Sequence, residues 1–303
     1  MTLPYNWQSR LTRWKNTLRS LAGFGEPQPS PPRLCPACGK LVGTTATRCH
    51  ECGTSMRFSL TALGKSMGGI FGGPAPVTTF ILILNILLFA ITWLATMKAG
   101  GGGGLFAGMN GQVLFKLGGS YGPAIFQGLE FNRLVTAIFL HGGLLHIGSN
   151  MMVLMDVGPQ VEEVYGSPRY FFLYLATGVA GFLLSAVRGH FSVGASGALM
   201  GLIGLMLAIT TRRGGAYMRE LRGRLLSWVG MIFLFGFLMP IVDNWGHFGG
   251  LAAGFGLGKL FADRQPLNGK EQNRAYALGW LAGLVLLASF AAIILGQFHF
   301  PAE

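Results

Sequence analysis

The chain has 303 residues, of which 51% are hydrophobic and only 11% charged. A soluble domain carries about 25% charged residues, so an ordinary soluble enzyme is excluded. The 48 glycines follow no Gly-X-Y period, which removes collagen, and abundant Leu, Ile, Val and Phe remove disorder. What remains is an all-α polytopic membrane protein, whose helices approach through small residues and whose formal charge of +12 is first a topology signal.

Residues 1–30 form a basic tail or linker. Arg10, Arg13, Lys15 and Arg19 interrupt every apolar run, so no secretory signal is present. Trp7, Leu11, Trp14, Leu18 and Leu21 fall on one side of a helix over residues 5–21, which suits an anionic membrane surface. A loosely ordered basic tail fits the same residues.

Residues 31–57 contain all four cysteines, as Cys35-Pro-Ala-Cys38-Gly39 and Cys49-His-Glu-Cys52-Gly53. Each C-x-x-C-G knuckle offers two thiolates from a tight turn, and its glycine permits the positive φ such turns need. Four thiolates suit tetrahedral zinc. On the reducing inner side of a membrane, disulfides are the weaker reading. His50 is read as a bystander between ligands. So short a domain takes its folding energy from the metal, and four sulfurs leave no open position for catalysis. A docking or regulatory role toward a cytoplasmic protein is preferred over nucleic-acid binding. Residues 58–76 are a linker.

From Val77 onward, seven apolar segments have spanning length: Val77–Met97, Leu134–Val157, Tyr170–Val187, Val193–Thr211, Leu225–Val242, Trp245–Phe261 and Tyr276–Gln297. The fourth and sixth are rich in glycine, which predicts burial inside a bundle. Between the first two lies a glycine-studded loop, Gly100–Phe131, which opens with the flexible run Gly100–Gly104. A loop this long inside a membrane domain is more often functional than idle. With the N-terminus inside, 19 of the 23 Lys and Arg residues face the inner side. The C-terminus then lies outside.

Polar residues inside spans are functional candidates. The fourth segment opens Gly194-Ala195-Ser196-Gly197-Ala198-Leu199-Met200-Gly201. Ser196 either aids helix packing or acts as a nucleophile. The sixth segment opens Asp243-Asn244-Trp245-Gly246-His247-Phe248-Gly249-Gly250, with His247 at the same outer depth. Gly250, Gly254 and Gly258 make one smooth helical face, and Gly197 and Gly201 offer a matching one. A serine and a histidine at equal depth make a nucleophile–base dyad. In the second segment, His146 and Asn150 are four apart and share a helix face. Near Ser196 they would stabilise an oxyanion; otherwise they hold the bundle together. His141 is read as structural, pinning the loop before it.

These residues resemble the rhomboid intramembrane serine proteases. The resemblance is carried by His141, His146 and Asn150 in H-x4-H-x3-N, by Ser196 in G-A-S-G, and by His247 in G-H-F-G-G-L-A-A-G, over roughly Val77–Phe261. Glu162 matches the family's acid at the inner end of the second core helix. Arg133 matches the arginine of a Trp-Arg pair, with Asn132 in place of tryptophan.

The resemblance implies a six-helix core over residues 77–262, and a cytoplasmic linker with a seventh helix over 263–303. It implies a serine endopeptidase that cleaves membrane-anchored protein substrates near the outer surface. Ser196 would attack the carbonyl and His247 accept its proton, with no acidic third member and no cofactor for catalysis. His146, Asn150 and the Ser196 N–H would form the oxyanion hole. Gly100–Phe131 would be the lateral loop in the outer leaflet. Met200 stands where an aromatic often stacks on the histidine, and a thioether can serve there. A plasma-membrane location follows, with zinc confined to the ribbon. The alternative is a catalytically silent rhomboid-like protein that binds transmembrane helices. A channel would need paired charges at mid-membrane depth, and Asp156 alone comes near.

Overall fold

The structure is a computed structural model and describes residues 32–35, 37–56, 61, 73–100, 108–239 and 242–299. The helix expected over residues 5–21 and most of the linker over 58–76 lie outside these, as does most of the run Gly100–Gly104. Two compact units, residues 1–59 and 60–303, divide the chain.

In the first unit, β1 (Arg33–Leu34) pairs antiparallel with β2 (Leu41–Val42), and Arg48 bridges Ser55. The two knuckles repeat one hydrogen-bond pattern. Gly39 N–H donates to the Cys35 carbonyl at 2.9 Å, and Gly53 N–H donates to that of Cys49 at 2.8 Å. Both glycines sit at φ near +70°, at +73° and +72°, a region a side chain disfavours. The small core is Cys35, Ala37, Val42, Cys49 and Cys52, so the sulfurs themselves are most of it.

The second unit is helical, with α1 (Pro76–Lys98) first. Proline at the start of α1 suits the helix entry, but the helix has no side-chain cap of its own. The stretch expected as a loop carries α2 (Gly111–Lys116), β3 (Ser120–Tyr121) and α3 (Gly122–Phe126). Next come α4 (Arg133–Thr136), a 3₁₀ turn over Ala137–Phe139, α5 (Leu144–Tyr165) and α6 (Ser167–Val187). They are followed by β4 (Phe191–Ser192), α7 (Ser196–Arg212), α8 (Ala216–Leu238), α9 (Asn244–Leu260) and α10 (Gly269–His299).

Among the described residues, α1, α6, α8 and α10 are long and apolar enough to cross a membrane. The segment Arg133–Phe139 with α5 makes a fifth if that pair, bent by 91°, is one span. The remaining two expected segments are α7 and α9, of 17 residues each, and α7 is buried along almost its whole length. A polytopic helical bundle accounts for this architecture.

The second expected segment needs correction. It was expected over Leu134–Val157, but the helix runs Leu144–Tyr165. Leu134–Phe139 form a separate buried turn. Apolarity reports burial, not direction, and the chain turns by 91° between the two pieces. The helix extends past Val157 to Tyr165, and Glu162 is buried and bonded there. It accepts from the backbone N–H groups of Val77 (3.0 Å) and Thr78 (2.8 Å), and from the hydroxyls of Thr78 and Ser167 (2.7 Å each). Glu162 thus serves as the cap that α1 lacks, with its charge at the positive end of that helix.

Candidate active site

Ser196 is the first residue of α7 and His247 lies in the first turn of α9. The Ser196 Oγ and His247 Nε2 are 2.8 Å apart. Two helices reach this distance because glycines line their contact. A Cβ at Gly250 would overlap the Gly197 carbonyl, and one at Gly254 the Gly201 carbonyl. The two glycine faces read from the sequence therefore meet.

The turn before Ser196 is tied down from several sides. Gly194 has φ +129° and its N–H donates to the Ala137 carbonyl at 2.9 Å. The Ala195 N–H points to His141 Nε2 at 3.5 Å, and His141 is fully buried. His141 thus braces the serine turn, whereas it was expected to pin the preceding loop. That loop is held elsewhere. Arg133, buried, donates to Glu130 and to the carbonyls of Phe115 and Gly119, and lies 4.1 Å over the Phe115 ring. The pairing of β3 with β4, Ser120 opposite Ser192, then brings the loop beside the serine turn.

His146 and Asn150 face the same turn. A Cβ on Gly194 would lie 2.6 Å from His146 Nε2 and 3.8 Å from Asn150 Nδ2. The Gly142 N–H donates to His146 Nδ1 at 3.3 Å, which leaves the proton on Nε2, the nitrogen turned toward the serine loop. Asn150 Nδ2 also donates back to the His146 carbonyl at 2.8 Å. Two donors and the start of α7 therefore converge just before Ser196.

Met200 is buried, but the ring recorded against His247 is that of Phe233 from α8, edge-on at 6.4 Å between centroids. Phe233 carries no sequence signal, because it reaches the histidine from another helix. A small open pocket lies beside Ser196 and His247, lined by Phe182, Ser192, Ser196, Gly197, Asp243, Gly246 and His247.

Residues 128–264 match the family model described as the rhomboid domain. The matched stretch contains Ser196, His247, His146 and Asn150. The Rhomboid protease GluP of Bacillus subtilis is 34% identical over 193 residues, 63% of this chain and 36% of that protein. RHOMBOID-like protein 6, mitochondrial, of Arabidopsis thaliana is 36% identical over 176 residues, 56% of each chain. Rhomboid-like protease 1 of Toxoplasma gondii is 33% identical over 186 residues, 58% of this chain and 61% of that protein. The chain thus spans between about a third and three fifths of the length of these relatives. Together these matches support the rhomboid family and an integral membrane protein.

The second candidate site is in the first unit, outside the matched residues. The sulfurs of Cys35, Cys38, Cys49 and Cys52 all lie within 4.8 Å of one another. The Cys35–Cys52 and Cys38–Cys49 pairs are each 3.6 Å apart, far beyond the roughly 2.0 Å of a disulfide. A tetrahedral ion with bonds of about 2.3 Å separates its sulfurs by roughly 3.8 Å, so this cluster has the size of a metal site. The thiols are shifted in opposite directions: the Lys40 backbone favours a Cys38 thiolate but burial and the three neighbouring sulfurs push that thiol up, the Cys52 backbone holds Cys49 down, and burial raises Cys52 but the Thr54 hydrogen bonds outweigh it. Four crowded thiolates call for a cation.

Proposed function

We propose that the helical unit is an intramembrane serine endopeptidase of the rhomboid type. One observation carries this reading: Ser196 Oγ is 2.8 Å from His247 Nε2, beside a cavity and facing two side-chain donors. Relatives named as rhomboid proteases and as a serine protease support a hydrolase of this family.

In the proposed reaction, Ser196 Oγ attacks the carbonyl carbon of a peptide bond in a membrane-anchored protein. His247 Nε2 takes the hydroxyl proton, because serine is a weak nucleophile without a base. The negative charge that develops on the carbonyl oxygen falls near His146 Nε2, Asn150 Nδ2 and the first N–H of α7. Donors fixed before the reaction are worth most in such a water-poor site. His247 then returns the proton to the leaving amine, and water from the outer side hydrolyses the acyl-enzyme.

The basic residues give the proposed orientation: N-terminus cytoplasmic, C-terminus outside, in a bacterial plasma membrane. Cleavage then falls near the outer surface. The four cysteines would hold a structural zinc ion, which stabilises a unit with little core of its own. A cytoplasmic protein that docks on this ribbon belongs to the same proposal.

The test is labelling of the purified protein by a fluorophosphonate probe. Label on wild type that is absent in Ser196→Ala and in His247→Ala supports the enzyme. Failure of wild type to label favours a silent transmembrane-helix binder.

A further inference from the structure

Asp243 precedes α9 as its cap residue, and its Oδ1 accepts the Gly246 N–H at 2.9 Å. The His247 N–H donates to the Asp243 carbonyl at 3.1 Å, so the two residues stand one turn apart on one side of the helix. The carboxylate folds over Gly246, where a Cβ would lie 2.6 Å from Oδ2. Asp243 and His247 both line the cavity that holds Ser196.

Two atoms remain unused by capping and by the dyad. Asp243 Oδ2 and His247 Nδ1 are both buried and neither has a hydrogen-bond partner. They are chemically complementary. When Nε2 accepts from Ser196, the ring proton sits on Nδ1, and an N–H in a confined site calls for negative charge nearby. The two atoms do not bond each other directly. The other groups around His247 do not supply this charge. His146 on α5 is a donor toward the serine turn, Arg188 after α6 lies 4.6 Å over the Trp245 ring, and α8 presents Phe233.

We infer that Asp243 is a positioning residue for His247: its carboxylate favours the Nδ1-protonated ring and steadies the imidazolium formed when Nε2 takes the Ser196 proton. This rests on the dyad reading above. Asp243 keeps its own ionisation state throughout, and the transferred proton stays on Nε2 until it reaches the leaving group.

Capping and charge are separable, because Asn caps a helix about as well as Asp but carries no charge. The full chain in detergent is inactivated with a fluorophosphonate, and kinact and KI are measured for wild type, Asp243→Asn, Asp243→Glu and Ser196→Ala. In Asp243→Asn, kinact is expected to fall about tenfold, as for an electrostatic interaction of roughly one pKa unit, with KI within about twofold. Asp243→Glu is expected to recover most of the rate. Gly246→Ala, which displaces the carboxylate without removing it, is expected to lower kinact as well, and it decides the matter if Asp243→Asn folds poorly. Wild-type kinact in a folded Asp243→Asn, or Asp243→Glu slower than Asp243→Asn, overturns the inference and leaves the dyad standing. Labelling of wild type that persists in Ser196→Ala overturns the dyad reading and this inference with it.

Discussion

Gly250 on α9 sits directly on the Gly197 carbonyl of α7, and a single added Cβ at Gly250 would overlap that oxygen. The contact lies one turn below the pair formed by His247 and the neighbouring Ser196, so the spacing of the dyad is set by the spacing of the helices.

Gly250→Ala is therefore expected to act on both stability and chemistry. Over-packing costs about 1–3 kcal/mol, and the helices must part by a fraction of an ångström. The thermal unfolding temperature in detergent should fall, and the labelling rate of the remaining folded protein should drop at least about tenfold, since a displacement of this kind in the proposed catalytic pair is costly. Gly256→Ala is the matched control. It meets nothing within 4 Å and should be neutral or stabilising by up to about 1 kcal/mol. Equal effects at the two positions would contradict the packing account.

Glu162 accepts four hydrogen bonds at the junction of α1, α5 and α6. Glu162→Ala leaves buried donors of α1 unpaired and should cost about 3 kcal/mol. The labelling rate of the folded fraction should stay within about twofold of wild type. A folded but inactive variant would assign Glu162 a part in the site itself.

The glycine contacts and the approach of Ser196 to His247 were legible in the sequence because two glycine-striped helices carry a serine and a histidine at equal depth. Gly250 and Gly254, one turn apart, define a face, and Ser196 and His247 each open a helix on that face. The bend before α5 was not legible. Leu134 to Phe139 is as apolar as a span, and only the three-dimensional course through Gly142-Gly143 separates it from Leu144–Tyr165. The elements within the loop were missed for the opposite reason, since α2 and α3 have 6 and 5 residues, too short for a period to register. Phe233 and the carboxylate of Asp243 were invisible as site residues. One arrives from a separate helix, and the other stands four residues before His247 with no sequence signal of its own.

Between the end of α7 and the residues after α9, Arg213 donates to Asp263 Oδ2 at 2.7 Å. Burial alone would raise the Asp263 carboxyl, but the Arg213 hydrogen bond and charge outweigh it and hold the group below its ordinary 3.8. A carboxyl held low in the folded state stabilises above its unfolded pKa and loses that stability as pH falls through the folded value. Asp263→Asn should therefore be less stable than wild type at pH 7, by under about 1 kcal/mol for so exposed a pair. The difference should shrink as the pH falls below the ordinary 3.8 and through the lower folded value. A difference that grows at low pH would contradict the assignment.

Metal analysis of the purified full chain should find about one zinc ion per chain, the proposed occupant of four clustered thiols. Cys35→Ser with Cys49→Ser should remove it. Chelation should unfold the first unit while fluorophosphonate labelling of Ser196 continues. A chain purified without metal, yet protected at all four thiols, would contradict the metal-site reading.

Cleavage of a model single-span membrane protein in liposomes by wild type, Ser196→Ala and His247→Ala tests the central claim most directly. The account predicts a single cut near one membrane surface by wild type, and a loss of at least about a thousandfold in each variant with the fold intact. Cleavage by Ser196→Ala at the wild-type rate would contradict it.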